Sequence, residues 1–383
     1  MPATLTQNDK NRLENVDWED ILDTLAAQKC VLFLGSGAYQ SPDENDIEEA
    51  LCKWLDSSNP NHPEIRLFNP DGFYLFRKNI FKRRVIASIK EFYNQQFNKT
   101  ESDFAKIAQI PFSMIVTLSF DNILTRVFDQ LGFEYQSDFY SKERKISKKF
   151  EKPTRNKPLI YNLLGNIEDP DSLILTHSDF YNYLQSEFES KVLKNELIEE
   201  IEKAERFIFL GLPYEKWYFQ ILLRILSIDS DKLKEIERTA LKEFEDPRLQ
   251  EIYTREFKLD FIPTNTESFI DKLFQHAGNK GILKPLPQID LADANSRILP
   301  LNDIRELVGN ADVAHAMHYL KVFIDQRKVR SSKISNDLVV LRNRLNLLKL
   351  REIRGTIDSR DLSQEWNLIV EGLLELINQA ENL

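Results

Sequence analysis

The sequence predicts an α/β fold, a doubly wound and mostly parallel sheet with a helical insert, followed by an all-α four-helix bundle. Three observations lead there. Apolar strand-like runs alternate with helical stretches down to about Gly278, the pattern of a parallel sheet covered by helices on both faces. A proline-marked stretch, Leu283-Lys284-Pro285-Leu286-Pro287, then breaks the alternation, since each proline disfavours helix at the residue before it. Beyond Pro300 no proline follows and apolar residues recur at spacings of three and four, the helical period.

Strand-like runs lie at 30–34, 113–118, 159–163, 173–176, 206–210 and 257–262, with helical stretches at 78–97, 179–204, 214–227 and 266–277. The first run, Cys30-Val31-Leu32-Phe33-Leu34, is apolar throughout, as a strand buried on both faces reads. It breaks into Gly35-Ser36-Gly37-Ala38, and glycines there let the backbone turn tightly and approach a phosphate. A Gly-x-Gly after a strand equally marks a plain strand-to-helix turn. No third glycine completes a dinucleotide fingerprint, because Tyr39, Gln40, Ser41 and Pro42 follow. The second run enters a polar turn through Thr117-Leu118-Ser119-Phe120-Asp121, and the third through Asn162-Leu163-Leu164-Gly165-Asn166. All three turns fall at carboxyl ends of predicted parallel strands, where open α/β sheets of this Rossmann-like kind bind ligands.

Between the first two runs, the insert at about 43–109 is rich in aromatic residues: Trp54, Phe68, Phe73, Tyr74, Phe76, Phe81, Phe92, Tyr93, Phe97 and Phe104. They read as the small core of a helical subdomain, the sharper alternative being a ligand-pocket lining. The basic run Lys142 to Lys149 reads as a solvated loop, or as a lid between the second and third runs.

Composition narrows the function classes. The 383 residues are 42% apolar with a net charge of −10, enough for more than one core and repulsive to a phosphate backbone, so nucleic acid is not expected as a partner. No apolar run of about 18 residues and no basic-then-apolar leader is present, so no membrane contact is expected and the chain reads as cytoplasmic. Cys30 and Cys52, the only cysteines, read as small core residues in a reducing compartment.

Taken in order, the three turns resemble the sirtuin signature, in which a Gly-Ala-Gly loop, a Thr-x-Asn-x-Asp turn and a Leu-His-Gly turn converge on NAD. Two further segments, Ile167 to Thr176 and Phe207 to Phe219, resemble bacterial defence-associated sirtuin-like proteins. The resemblance spans roughly residues 20 to 285 and marks 1–282 as a sirtuin-like domain. It implies NAD or a related nucleotide as ligand, with Gly35, Ser36, Gly37, Ala38, Thr117, Ser119, Asp121 and Gly165 around it. At the chemistry the chain departs from the family. The asparagine that orients the nicotinamide-side ribose and the attacking water is Ser119, and the catalytic histidine falls on Leu164, so the catalytic set is empty. A general base contributes about 10²–10⁴-fold, and leucine takes no proton. Of the five histidines only His177 lies near a motif; in Thr176-His177-Ser178-Asp179 it reads as a first-turn surface residue behind a Ser or Thr cap. Two cysteines also leave no four-cysteine zinc module, so no metal and no acyl-lysine deacylation are expected.

Residues 283–299 read as an extended linker and 300–383 as the bundle. A short first helix is expected near 303–309. Three stripes follow: Val313, Met317, Leu320 and Ile324; Ile334, Leu338, Leu341, Leu345 and Leu348; Leu362, Trp366, Ile369, Leu373 and Leu376. Asn302, Asn310 and Asp358 read as N-caps and Gly355 as a helix stop. The segments Ala314 to Met317, Asn336 to Lys349, Arg354 to Ile357 and Glu365 to Ile377 resemble the effector-associated domains of bacterial conflict systems, death-like adaptor bundles. An ordinary dimerising bundle is the plainer reading. From Gln326 to Arg354 there are nine Lys or Arg against two acids, and from Asp358 onward six acids against Arg360. So polarised a bundle can meet its like head to tail, and homotypic or heterotypic contacts through 300–383 and a homo-oligomer are expected. Two functions fit: a catalytically degenerate nucleotide-ligand sensor or scaffold recruiting an effector in antiphage signalling, or an NAD hydrolase with displaced catalytic groups that is activated by oligomerisation and causes abortive infection.

Overall fold

A computed structural model of the chain describes residues 13–14, 16–39, 47–68, 71–141, 150–190, 195–228, 236–285, 299–309, 312–326 and 358–381, with isolated positions between 334 and 348. The basic run at 142–149, most of the predicted linker, Asn310 and Gly355 lie outside the described residues. Two compact units divide the chain, one formed by 1–129 and 133–285, the other by 130–132 and 286–383.

In the first unit nine strands are described. They are β1 (Cys30–Leu34), β2 (Ile65–Phe68), β3 (Tyr74–Phe76), β4 (Met114–Thr117), β5 (Gln136–Phe139), β6 (Leu159–Asn162), β7 (Arg206–Leu210), β8 (Glu237–Leu241) and β9 (Asp260–Ile262). Seven form one sheet in the order β5-β6-β4-β1-β7-β8-β9, every described pair parallel, and β2 pairs with β3 as an antiparallel hairpin in the insert. Every residue of β1, β4, β6 and β7 is buried, as central strands covered on both faces must be. From β1 the chain moves first to β4 and β6 on one side and later to β7, β8 and β9 on the other. That reversal makes the carboxyl end of β1 the topological switch point of the sheet, the place where open α/β sheets receive ligands.

The insert holds the helix Ile47–Trp54, the β2–β3 hairpin and the helix Phe81–Gln109. This last helix runs well past the predicted 97; Lys106 on its last turn pairs with Asp103 and with Asp271 of the helix Thr266–Lys280. Tyr74, Phe92, Tyr93 and Phe104 are buried, whereas Trp54 is exposed; Phe73 is buried too, but in the core of the sheet, against His177, Phe180 and Tyr218.

Several expectations are corrected. Residues 173–176 form no strand; Ile174 donates its N–H to Leu164 O and Leu175 O accepts from Tyr74 N–H, so this segment is buried by neighbours without joining the sheet. The stretch at 179–204 forms two helices, His177–Ser190 and Asn195–Glu202. The strand at 257–262 begins only at Asp260, because the Phe257 N–H still caps the preceding helix at Tyr253 O.

In the second unit the helices Leu301–Gly309, Val313–Gln326 and Ser359–Glu381 are described, and the described positions from 334 to 348 are helical. The first two predicted stripes are buried, and so are Ile369, Leu373 and Leu376 of the third; Leu362 and Trp366 pack partly buried at the margin. A Cβ on Gly372 would come 2.9 Å from Leu341 Cδ2, the end of a side chain, so these two residues face each other across the bundle core. Asp358 caps its helix by accepting the N–H groups of Arg360 and Asp361. Asn302 is not a cap: the helix starts at Leu301, with Pro300 O accepting from Asp303 and Ile304. Among the described residues, no helix is long and apolar enough to cross a membrane.

Candidate functional site

The turn after β1 is fixed against the turn after β7. Gly35 N–H donates to Leu210 O and Gly37 N–H to Gly211 O, each at 2.9 Å. A Cβ on Gly35 would sit 2.2 Å from Gly211 O, and one on Gly211, at φ +61°, only 2.0 Å from Ala38 N. The glycines therefore have a partner inside the protein, the Gly211 backbone. Sequence reading did not single out Gly211 as part of this turn. Ser36 is half-buried, Gly37 exposed and Ala38 buried.

The turn after β4 is a closed polar network. Thr117 Oγ1 accepts the Ser119 N–H at 3.0 Å, and Asn162 Nδ2 donates to the carbonyls of Ser119 at 2.9 Å and Asp121 at 3.3 Å. Asp121 Oδ1 accepts the Ile123 N–H at 2.8 Å, while Oδ2 accepts the Tyr39 hydroxyl at 2.5 Å and the Ser119 hydroxyl. Thr117, Ser119, Asp121, Asn162 and Tyr39 are all buried. Burial pushes the Asp121 carboxyl above its ordinary value, against the opposing pull of the Ser119 and Tyr39 hydroxyls and the Ile123 amide. Burial, with the Asp121 charge beside it, also drives the Tyr39 phenol well above its usual range, so it stays a donor. Tyr39 and Asn162 were missed as members of this network; polar residues beside strand ends carry no sequence mark of such long-range contacts.

At the third turn Leu164 is buried within the main hydrophobic core. Gly165 adopts φ +93°, and a Cβ there would stand 2.3 Å from Ser172 O. Nothing at Leu164 can accept or donate a proton through its side chain.

His177 stands at the start of its helix, behind Thr176, whose Oγ1 accepts the Asp179 N–H at 3.1 Å. It is not a plain surface residue. Its side chain is 36% exposed, its Nε2 lies 2.8 Å from Asp71 Oδ2, and its ring packs on Phe73 at 4.8 Å. Trp217 Nε1 donates to the same Asp71 oxygen at 3.1 Å. Burial pushes the Asp71 carboxyl up, but hydrogen bonds from Trp217, His177 and the Phe73 amide outweigh it and hold the group below its ordinary value. One carboxylate of the insert thus joins the start of two helices that follow the sheet strands.

Away from these turns, a cavity of about 470 Å³ opens where β7, β8 and β9 begin, lined by Asp17, Asp20, Arg206, Glu237, Thr239 and Asp260 among others. The Arg206 guanidinium there is held by Asp20 and by Thr239 Oγ1, so it supports the helix Trp18–Ala26 rather than the motif turns. Among the described residues, no group of three or more His, Cys, Asp or Glu converges as a metal site would.

The geometry defines a parallel α/β sheet whose motif turns meet in a closed polar network at a topological switch point, in series with a helical bundle. A family model described as SIR2-like domain matches residues 113–262, which contain the second and third turns but not Gly35 to Ala38; another, described as effector-associated domain 11, matches residues 300–381. The chain carries a SIR2-like domain and, C-terminal to it, an effector-associated domain. No curated protein matches. A solved structure titled "Structural Basis for the Mechanism and Regulation of Sir2 Enzymes" is similar over 69% of this chain and 98% of its own, at 11% identity and a TM-score of 0.34.

Proposed function

We propose that the SIR2-like domain is catalytically degenerate and serves as a nucleotide-ligand sensor or scaffold, coupled through its effector-associated domain to a defence-type effector. The observation that supports this most is the content of the two catalytic positions. The base position is Leu164, buried in apolar core, and the orienting position is Ser119, whose hydroxyl is already donated to Asp121. Losing a base and an orienting group together removes most of a hydrolase's rate. The purified chain is expected to leave NAD uncleaved even at concentrations where sedimentation shows it assembled; turnover in that assembled sample would sink the reading. The double variant Ser119→Asn, Leu164→His, assayed beside it, reports whether the remaining site is competent.

A second reading, an NAD hydrolase activated by oligomerisation, draws on one observation, the His177–Asp71 pair: an imidazole held by a carboxylate is the ordinary arrangement of a general base. Should the native chain cleave NAD, His177→Ala is the variant that must abolish turnover for this reading to hold.

For the tail, we infer salt-sensitive contacts with another effector-associated domain, on a second copy or on a partner. The basic 326–354 segment and the acidic segment from 358 onward support this, because contacts between opposite charges weaken as salt shortens the Debye length from about 10 Å at 0.1 M to about 3 Å at 1 M. Sedimentation is expected to shift toward smaller species between these salt concentrations. An unchanged profile with no partner captured would overturn the inference.

A further inference from the structure

Asp121 is a buried carboxylate at the carboxyl edge of a parallel sheet, and two side-chain hydroxyls already occupy it. One is local, from Ser119. The other comes from Tyr39, on the turn after β1 and far away in sequence. The Tyr39 ring lies against Phe104 at 4.7 Å and Tyr93 at 6.4 Å, so the aromatic insert holds the phenol in place. Immediately before it, Gly37 is exposed and Ser36 half-buried, so solvent reaches the turn just ahead of the buried phenol.

This is the place where open α/β sheets receive ligands, and a carboxylate near a strand end commonly accepts a ribose hydroxyl there. A phenol hydroxyl and a ribose hydroxyl present the same donor to a carboxylate oxygen. We propose that Tyr39 is a built-in occupant of a ribosyl-hydroxyl site: its phenol stands on Asp121 where a hydroxyl of a ribose-bearing ligand binds once the ring swings out. The proposal rests on reading the domain as a ligand-responsive module and adds how access to it is controlled. Because burial keeps the phenol protonated, this closure holds across the ordinary pH range.

Closing the site on itself lowers apparent affinity by the fraction of molecules with the ring out. For a minor state populated at about 0.1–10%, that is about 10- to 1,000-fold. The probe is ADP-ribose, which carries the ribose hydroxyls and has no nicotinamide to lose, titrated by calorimetry into the full chain. Tyr39→Phe, which keeps the ring and removes the hydroxyl, is expected to bind at least about tenfold tighter than the native chain. Tyr39→Ala is expected to bind tighter still, and adding Asp121→Asn to Tyr39→Phe to remove the gain.

Equal affinity in the native and Tyr39→Phe chains, or no binding by either, overturns the proposal; so does a gain that survives Asp121→Asn. Thermal melts establish that each variant is folded, and if Tyr39→Ala is not, the conservative variant decides. NAD cleavage by the native chain would defeat the degenerate-module reading, whereas a failed ADP-ribose titration without cleavage defeats only the role given to Tyr39.

Discussion

Gly211→Ala is expected to destabilise the SIR2-like unit by at least about 4 kcal/mol, a large part of the roughly 5–15 kcal/mol that holds a domain folded. The residue sits at φ +61°, where an L side chain costs about 1–2 kcal/mol. The larger effect is steric. The new Cβ would stand 2.0 Å from Ala38 N, 2.4 Å from Gly37 C and 2.7 Å from Ala38 Cα, all of them backbone atoms that no rotamer change can move. Retreat of either turn would break the bonds from Gly35 N–H to Leu210 O and from Gly37 N–H to Gly211 O, at about 1–3 kcal/mol for each buried group left unpaired. Gly281→Ala is the control, because that residue also has a positive φ, +71°, but a Cβ there meets nothing within 4 Å. It should cost only about 1 kcal/mol. Urea titrations of both variants separate the conformational cost from the clash, and near-equal midpoints would show that the two turns do not pack as tightly as described.

The same contact explains what could be read from the sequence and what could not. Gly35 and Gly37 stood out because glycine after an apolar strand marks a tight backbone approach. What they approach, Gly211, stands just after a strand more than 170 residues later, and nothing local announces it. Strands β1, β4, β6 and β7 were legible because burial on both faces leaves only apolar residues. The outlying strands β5, with Gln136, Ser137 and Asp138, and β8, opening on Glu237 and Arg238, were not, because polar residues hide an extended segment. The apolar run at 173–176 misled for the opposite reason. It is buried like a strand but contributes isolated backbone bonds to Leu164 and Tyr74 instead of a ladder. In the bundle the three-and-four spacing is a local property, and the buried stripes follow it closely. The candidate site is different: the contacts from Tyr39 to Asp121 and from His177 to Asp71 join residues that no local pattern pairs.

Lys284 lies within the stretch whose prolines suggested an extended linker, yet it is buried, with its N–H bonded to Gln109 O at 2.8 Å. Its ammonium lies 4.6 Å from the centroid of the Phe128 ring and 4.7 Å from that of Phe133. No carboxylate pairs with it among the described ion pairs. The ring faces recover part of the cost of desolvating the charge, but burial still pushes the lysine down to about 7. An unfolded lysine titrates near 10.4, so between about 7 and 10.4 the unfolded chain holds the extra proton and stability rises with pH. Below pH 7 both states are charged and the full penalty applies. Lys284→Met keeps the length and removes the charge, so it is expected to be more stable than the native chain at pH 6 by on the order of 5 kcal/mol, an upper figure for the full desolvation penalty. That advantage should shrink steadily through the window and be nearly gone above its upper end. Taking the difference between the two chains cancels tyrosines and cysteines that titrate in the same range. Denaturant titrations from pH 6 to pH 10.5 measure it directly. If Lys284→Met proves less stable at pH 6, the two phenylalanine faces hold the ammonium better than water does, and the lysine is charged in the folded chain throughout.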